Sequence, residues 1–222
     1  DTSADYYSQN IKIENGFYHY EICTPTSMIK NLTLGLPGKH NVENSVAACV
    51  IALLMNVSEE DIRIAFATFG GVKRRFDYHV KTDKTVYIDD YAHHPEELKA
   101  TISSAKEMFP SKKITGVFQP HLFSRTRDFL EDFAKSLDLL DDCILLEIYP
   151  ARELPIEGIN SSLLLSKMKS TNKMVCQKNN LVQEIKKRNP EVLLTMGAGD
   201  IDLMIEPIKE LLKLTPSTSE RD

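Results

Sequence analysis

The chain has 222 residues, with 27 Lys and Arg against 32 Asp and Glu, for a formal net charge of −5. Neither residues 1–73 (5 basic, 8 acidic) nor the remainder (22 basic, 24 acidic) forms a basic arm, which argues against a nucleic-acid partner. Hydrophobic residues make up 42%, and the longest apolar run, 45–55, is far short of the roughly 20 residues that span a bilayer. A soluble globular protein with no membrane segment is expected. There is no signal-peptide pattern, and the opening Asp1 in place of Met suggests a piece of a longer protein. Cys23, Cys49, Cys143 and Cys176 are scattered without a C-x-x-C pair, so neither a zinc knuckle nor a redox dithiol is implied. Reduced thiols and a cytoplasmic location follow.

In chain order, 11–14 and 17–22 read as strands flanking the hairpin pair Asn15-Gly16, and 31–36 as a third strand. A helix is expected over 42–55 and another over 59–68, the second opened by Ser58 as N-cap with Asp61 three residues on. This first part is a thin core, which reads as the tail of something larger. After Arg74 the pattern alternates. Strands are predicted over 85–89, 114–118, 143–148, 174–176 and 192–196, and helices over 95–109, 126–140, 161–168, 181–188 and 202–212. Strands separated by helices of this length predict an α/β fold, a Rossmann-like, doubly wound, mostly parallel sheet preceded by a small α+β part. The polar tail 215–222 is expected to fray.

In open α/β sheets ligands bind beyond the carboxyl ends of the strands, and the unusual residues of this chain fall there. They are DDYAHHP at 89–95, QPHLFSRTR at 119–127, YPARE at 149–153 and GAGD at 197–200. Each has a plain structural reading too. The Asp89-Asp90 pair could simply end a strand ahead of Pro95. His93 and His94 suggest a metal, but adjacent side chains diverge and no third ligand has suitable spacing. Arg125 and Arg127 fall at the start of the predicted helix 126–140 and oppose its dipole, which points to an anion. GAGD could cradle phosphate, although tight strand-to-helix packing explains it as well. Asn41 and Asn44 share a helix face, and a carboxamide can read the edge of adenine; the alternative is that Asn41 only caps the helix.

Six stretches together resemble, in order and spacing, the ATP-dependent Mur ligases: LPGKHNVENSVAA at 36–48, GVKRRFD at 71–77, DDYAHHP at 89–95, FQPHLFSRTR at 118–127, YPARE at 149–153 and GAGD at 197–200. The resemblance implies that 1–73 is the C-terminal part of the family's central ATP-binding domain, 74–214 the C-terminal Rossmann-like domain and 215–222 a flexible tail. Within the family it is closest to the member that joins L-alanine to UDP-N-acetylmuramate through an acyl phosphate, a step of peptidoglycan precursor synthesis. It implies ATP as cofactor, with Mg2+ bound mainly by residues this chain lacks, and so an inactive chain when taken alone. By the same resemblance Asn41 and Asn44 would hold adenine, Arg75 a phosphate and Asp90 the ribose. Tyr91, His93, His121, Arg125 and Arg127 would line the substrate side, and no residue is implied as catalytic. Alternatives are a related ligase that attaches a preformed peptide to the same sugar, a non-catalytic nucleotide-binding module, and a metal-dependent hydrolase built on His93 and His94.

Overall fold

The computed structural model describes residues 4–14 and 17–213. The Asn15-Gly16 turn and the tail 215–222 lie outside the described residues. The chain divides into two compact units, one formed by residues up to 72 with 107–110, the other by 73–106 and the residues from 111 onward.

The first unit is an antiparallel sheet of β1 (Tyr7–Glu14), β2 (Phe17–Cys23) and β3 (Met28–Leu34), with helices α1 (Lys39–Leu54) and α2 (Glu59–Thr68). The alternation of β2 buries Tyr18, Tyr20 and Ile22, which pack with Ile29, Leu32 and Leu34 of β3 and with Val42, Cys49 and Ile62 of the helices. Strand β1 begins earlier than expected and carries a bulge at Asn10, whose φ is 53°. Helix α1 starts three residues before the predicted 42, because Gly38 takes a φ of 91° that lets the chain turn directly into it. Ser58 caps α2 as expected, its Oγ accepting the Asp61 N–H at 3.1 Å.

The second unit is a six-stranded sheet in the order β4-β5-β9-β6-β7-β8. The strands are β4 (Asp77–Lys81), β5 (Val86–Asp90), β6 (Ile114–Phe118), β7 (Asp142–Leu145), β8 (Lys173–Val175) and β9 (Val192–Met196). All pair in parallel except β4, which runs antiparallel to β5 at the edge. The helices are α3 (Pro95–Met108), α4 (Phe123–Asp128), α5 (Leu130–Leu137), α6 (Ser161–Lys167), α7 (Leu181–Arg188) and α8 (Ile205–Lys213). Neighbours along β6 point to opposite faces: Val117 packs with Leu181, Ile185 and Ile208 of α7 and α8, while Phe118 meets the Phe133 ring of α5 at 5.5 Å. This is the expected α/β architecture.

Three expectations need correction. Strand β4, DYHVK, was not anticipated, since only Val80 within it is buried and the alternation is weak. The single helix predicted over 126–140 is two helices, broken at Phe129, whose φ of −113° and ψ of 22° leave the helical region. The helix predicted over 202–212 opens as a 3-10 turn, Asp200–Met204, before α8.

The end of β9 is held by close backbone approach. Gly197 has a φ of 144°, and a Cβ there would lie 2.8 Å from the carbonyl oxygen of Gln119. Gly197→Ala is therefore expected to destabilise the second unit by about 2 kcal/mol or more, since it combines a forbidden conformation with a backbone clash. Urea unfolding of the chain, followed by far-UV circular dichroism, measures the loss.

Candidate functional site

The carboxyl ends of β5, β9, β6 and β7 place most of the predicted site residues together. At the end of β5, Asp89 is wholly buried and accepts from Arg74 Nε at 2.9 Å and from the Thr195 hydroxyl at 2.7 Å. Thr195 in turn lies 3.1 Å from the Tyr87 hydroxyl. Asp90 accepts the backbone N–H groups of Phe76 and Ala92, each at 2.8 Å. Burial pushes its carboxyl above the ordinary value, partly offset by those two N–H donors. The Asp89-Asp90 pair thus does end a strand, and each carboxylate also has a structural task.

Beyond β5 the two histidines part company. His94 is the N-cap of α3, followed by Pro95, and Glu97 reaches back to the N–H groups of His93 and His94 at 2.9 and 3.2 Å. The His94 ring packs edge-on against Phe129, with centroids 4.7 Å apart. His93 turns the other way. Its Nδ1 lies 2.9 Å from the Tyr91 carbonyl and so carries the proton, which leaves Nε2 as an acceptor in the neutral ring. Among the described residues no group of three or more His, Cys, Asp or Glu side chains is arranged to hold a metal ion.

A row of rings crosses the strand ends. Tyr91 lies 5.2 Å from His93, His93 lies 6.1 Å from His121, and His121 stacks on Tyr149 at 5.6 Å. Of the predicted substrate-side residues, Tyr91, His93, His121 and Arg125 therefore come together. Arg125 donates from Nη1 to His121 Nδ1 at 3.4 Å. Burial, Arg125 and His93 all hold His121 below the ordinary histidine value. Arg127 stands apart: it is exposed and pairs with its neighbour Asp128 at 2.7 Å. The dipole argument for these arginines does not hold, because α4 starts at Phe123 and both lie in its last turn, where cations are favoured.

Two glycines let the loop after β9 approach Gln119 and Tyr149 closely. A Cβ on Gly199 would meet Gln119 Oε1 at 2.6 Å and Tyr149 Cβ at 2.7 Å, so packing explains GAGD. Gln119 accepts the Ile201 N–H at 2.9 Å and donates to Asp200 at 2.8 Å. Burial pushes the Asp200 carboxyl up, but hydrogen bonds from Lys178 and Gln119 outweigh it and hold the group below its ordinary value. Gln119, Glu147, Tyr149, Lys178 and Asp200 border a cavity of about 260 Å³.

Asn41 and Asn44 belong to the first unit. Asn41 does not cap α1, whose N-cap is Gly38; its amide donates to the Pro37 carbonyl at 2.7 Å, and Asn44 is exposed. Arg75 is exposed as well. Sequence reasoning gave no role to Arg74, Gln119, Tyr149 or Glu153. Glu153 accepts both the backbone N–H of Ser124, at 2.9 Å, and its hydroxyl, and these bonds hold its carboxyl below the usual range. The only signal for Glu153 was its place in YPARE, and for Arg74 its place beside Arg75.

The family model described as Mur ligase, glutamate ligase domain, matches residues 74–199. The chain is 51% identical over 209 residues to a UDP-N-acetylmuramate–L-alanine ligase of Flavobacterium psychrophilum, covering 94% of this chain and 47% of that protein. It is 52% identical over 210 residues to the protein of the same name in Christiangramia forsetii, covering 95% and 46%. The crystal structure of UDP-N-acetylmuramate–alanine ligase from Thermotoga maritima superposes with a TM-score of 0.76 at 25% identity, covering 96% of this chain and 46% of that one. The chain thus spans about half the length of the relatives it matches. Among the described residues no helix is long and apolar enough to cross a membrane.

The His121 environment is testable. Its imidazole is expected to titrate below 6.5, and Arg125→Gln should move it back up by removing a repelling charge. Because the folded value is depressed, the unfolded chain binds more protons in that window. Stability is then retained above the ordinary histidine value and lost as pH falls through the folded one. NMR titration of the histidine ring protons in the wild type and the variant reads both shifts.

Proposed function

The chain belongs to the Mur ligase family, and from that premise we propose that it is the C-terminal part of an ATP-dependent ligase joining L-alanine to UDP-N-acetylmuramate. The observation that carries this reading is the identity of 51–52% to curated alanine ligases over 94–95% of the chain. Residues 1–73 are then the end of the family's central domain and 74–214 its C-terminal domain. The first unit leaves Ile51, Leu54, Met55, Ile64 and Phe69 half or more exposed, apolar side chains that a larger domain would cover. A cytoplasmic location fits a reaction that uses ATP and a nucleotide sugar.

ATP, when bound, supplies the phosphoryl group that activates the carboxylate of the sugar. Asn44 is free to meet adenine, and Asn41 keeps its carbonyl oxygen and one N–H after bonding Pro37. The exposed Arg75 would meet a phosphate. Asp90 would accept from the ribose with the lone pairs left by Phe76, Ala92 and the Thr101 side chain. Mg2+ would be held mainly by the part of the protein outside this chain. On the substrate side Arg125, beside His121 and inside the row of rings, is better placed than the surface-paired Arg127 to hold the alanine carboxylate. Tyr91 and His93 line the same side, and these groups act by positioning and charge stabilisation.

ADP release is the assay, with UDP-N-acetylmuramate, Mg2+ and either L-alanine or a preformed peptide as acceptor. The complete gene product is expected to turn over with L-alanine and the 222-residue chain alone to be inactive. Turnover with the peptide alone would assign the related peptide-adding reaction, and none with either would leave a binding module. Arg125→Ala should raise the alanine KM about tenfold to a hundredfold, the worth of a charge-assisted pair, while Arg127→Ala should change it little.

A further inference from the structure

We propose that Arg74 is a positioning residue that fixes the neighbouring Arg75 for the nucleotide; this rests on the ligase reading above. The segment around Arg75 is an unusual piece of backbone. Arg74 has a φ of 60° and Phe76 a φ of 48°, so two non-glycine residues in the left-handed region flank Arg75. Such conformations persist only where the surroundings over-determine them.

Here each is pinned. The Phe76 N–H donates to Asp90, and the Arg74 N–H to Asp77 at 3.2 Å. The Arg74 carbonyl accepts the Tyr91 N–H at 2.7 Å. The Arg74 side chain makes the farthest-reaching ties. Nε binds the buried Asp89 of β5, Nη2 donates to the Gly197 carbonyl at the end of β9 at 2.7 Å, and the guanidinium carbon lies 5.2 Å from the Tyr91 ring centre. One planar group thus links two strand ends and an aromatic face while its own backbone sets the direction of Arg75. Only a guanidinium does all three; an ammonium on a flexible stem matches Asp89 in charge but not the fork or the stacking. Arg74 is itself only partly exposed, whereas Arg75 is exposed and available to a ligand.

The test is steady-state kinetics of the complete gene product. Arg74→Lys keeps a cation beside Asp89, and the double substitution R74M/D89N removes both charges, so that at least one variant folds without an uncompensated buried carboxylate. Both are expected to raise the ATP KM by about tenfold, comparable with Arg75→Ala. The combined R74K/R75A variant should be no worse than Arg75→Ala alone, because the second loss acts through the first. A purely structural role would instead lower kcat through a smaller active fraction and leave the ATP KM alone. An ATP KM within about twofold of wild type in both Arg74 variants, or multiplying losses in R74K/R75A, overturns the positioning role and leaves the ligase reading intact. A wild-type gene product without ATP-dependent turnover overturns the ligase reading, and the positioning role with it.

Discussion

The second unit depends on the seat of β9 between β5 and β6. The chain leaves β5, crosses by α3 and returns as β6 one place away, and the vacant place is filled only by the last strand. The ends of three strands from different parts of the sequence thereby converge. That seat exists because Gly197 and Gly199 present no side chain to Gln119 and Tyr149, whose atoms occupy the space a Cβ would need. Gln119 then uses both ends of its amide on the β9 loop, at Ile201 and Asp200. The glycine-rich turn looks like a phosphate cradle in sequence. In the fold it is the close contact that lets the other loops meet.

Convergence also creates an electrostatic cost that the fold offsets locally. Asp89 sits near the carboxyl end of β5, between β4 and β9, with no exposure, and a lone carboxylate there would be untenable. Arg74 and Thr195 both bind it, and the Tyr87 hydroxyl extends the chain of hydrogen bonds. Glu153 does comparable work across the site by accepting from Ser124 at the start of α4, where Leu122 offers no side-chain cap and has a φ of 74°. The order of the loops therefore rests on two carboxylates held by partners remote in sequence.

Those remote partners mark the limit of what the sequence made legible. Strand and helix periodicity located β6, β9, α2 and α7 closely, since their burial patterns are strong and their ends carry ordinary punctuation. Strand β4 was missed because an edge strand with one buried residue has little periodicity to read. The break at Phe129 was missed because nothing local signals it; its ring is held by His94, some 35 positions earlier. The loops that bear the site could be read from the chain, and the divergence of His93 from His94 followed from their adjacency. The stacking of His121 on Tyr149, the grip of Arg74 on Gly197 and the approach of Gln119 to Gly199 are contacts made by topology, and no spacing announces them.

The same contacts decide which charges remain to act on a ligand. Arg74 is matched by Asp89, Lys178 by Asp200, and Arg127 by Asp128. Arg125 meets an imidazole instead of a carboxylate, and that imidazole is kept neutral by burial and by Arg125 itself. A neutral partner orients the guanidinium without cancelling its field, whereas a carboxylate would do both. The depressed His121 is thus part of what leaves Arg125 electrostatically active. With Arg75 exposed next to Arg74 in the chain, these loops present positive charge in two places within a chain whose net charge is −5. That pattern fits ligands that are themselves anionic.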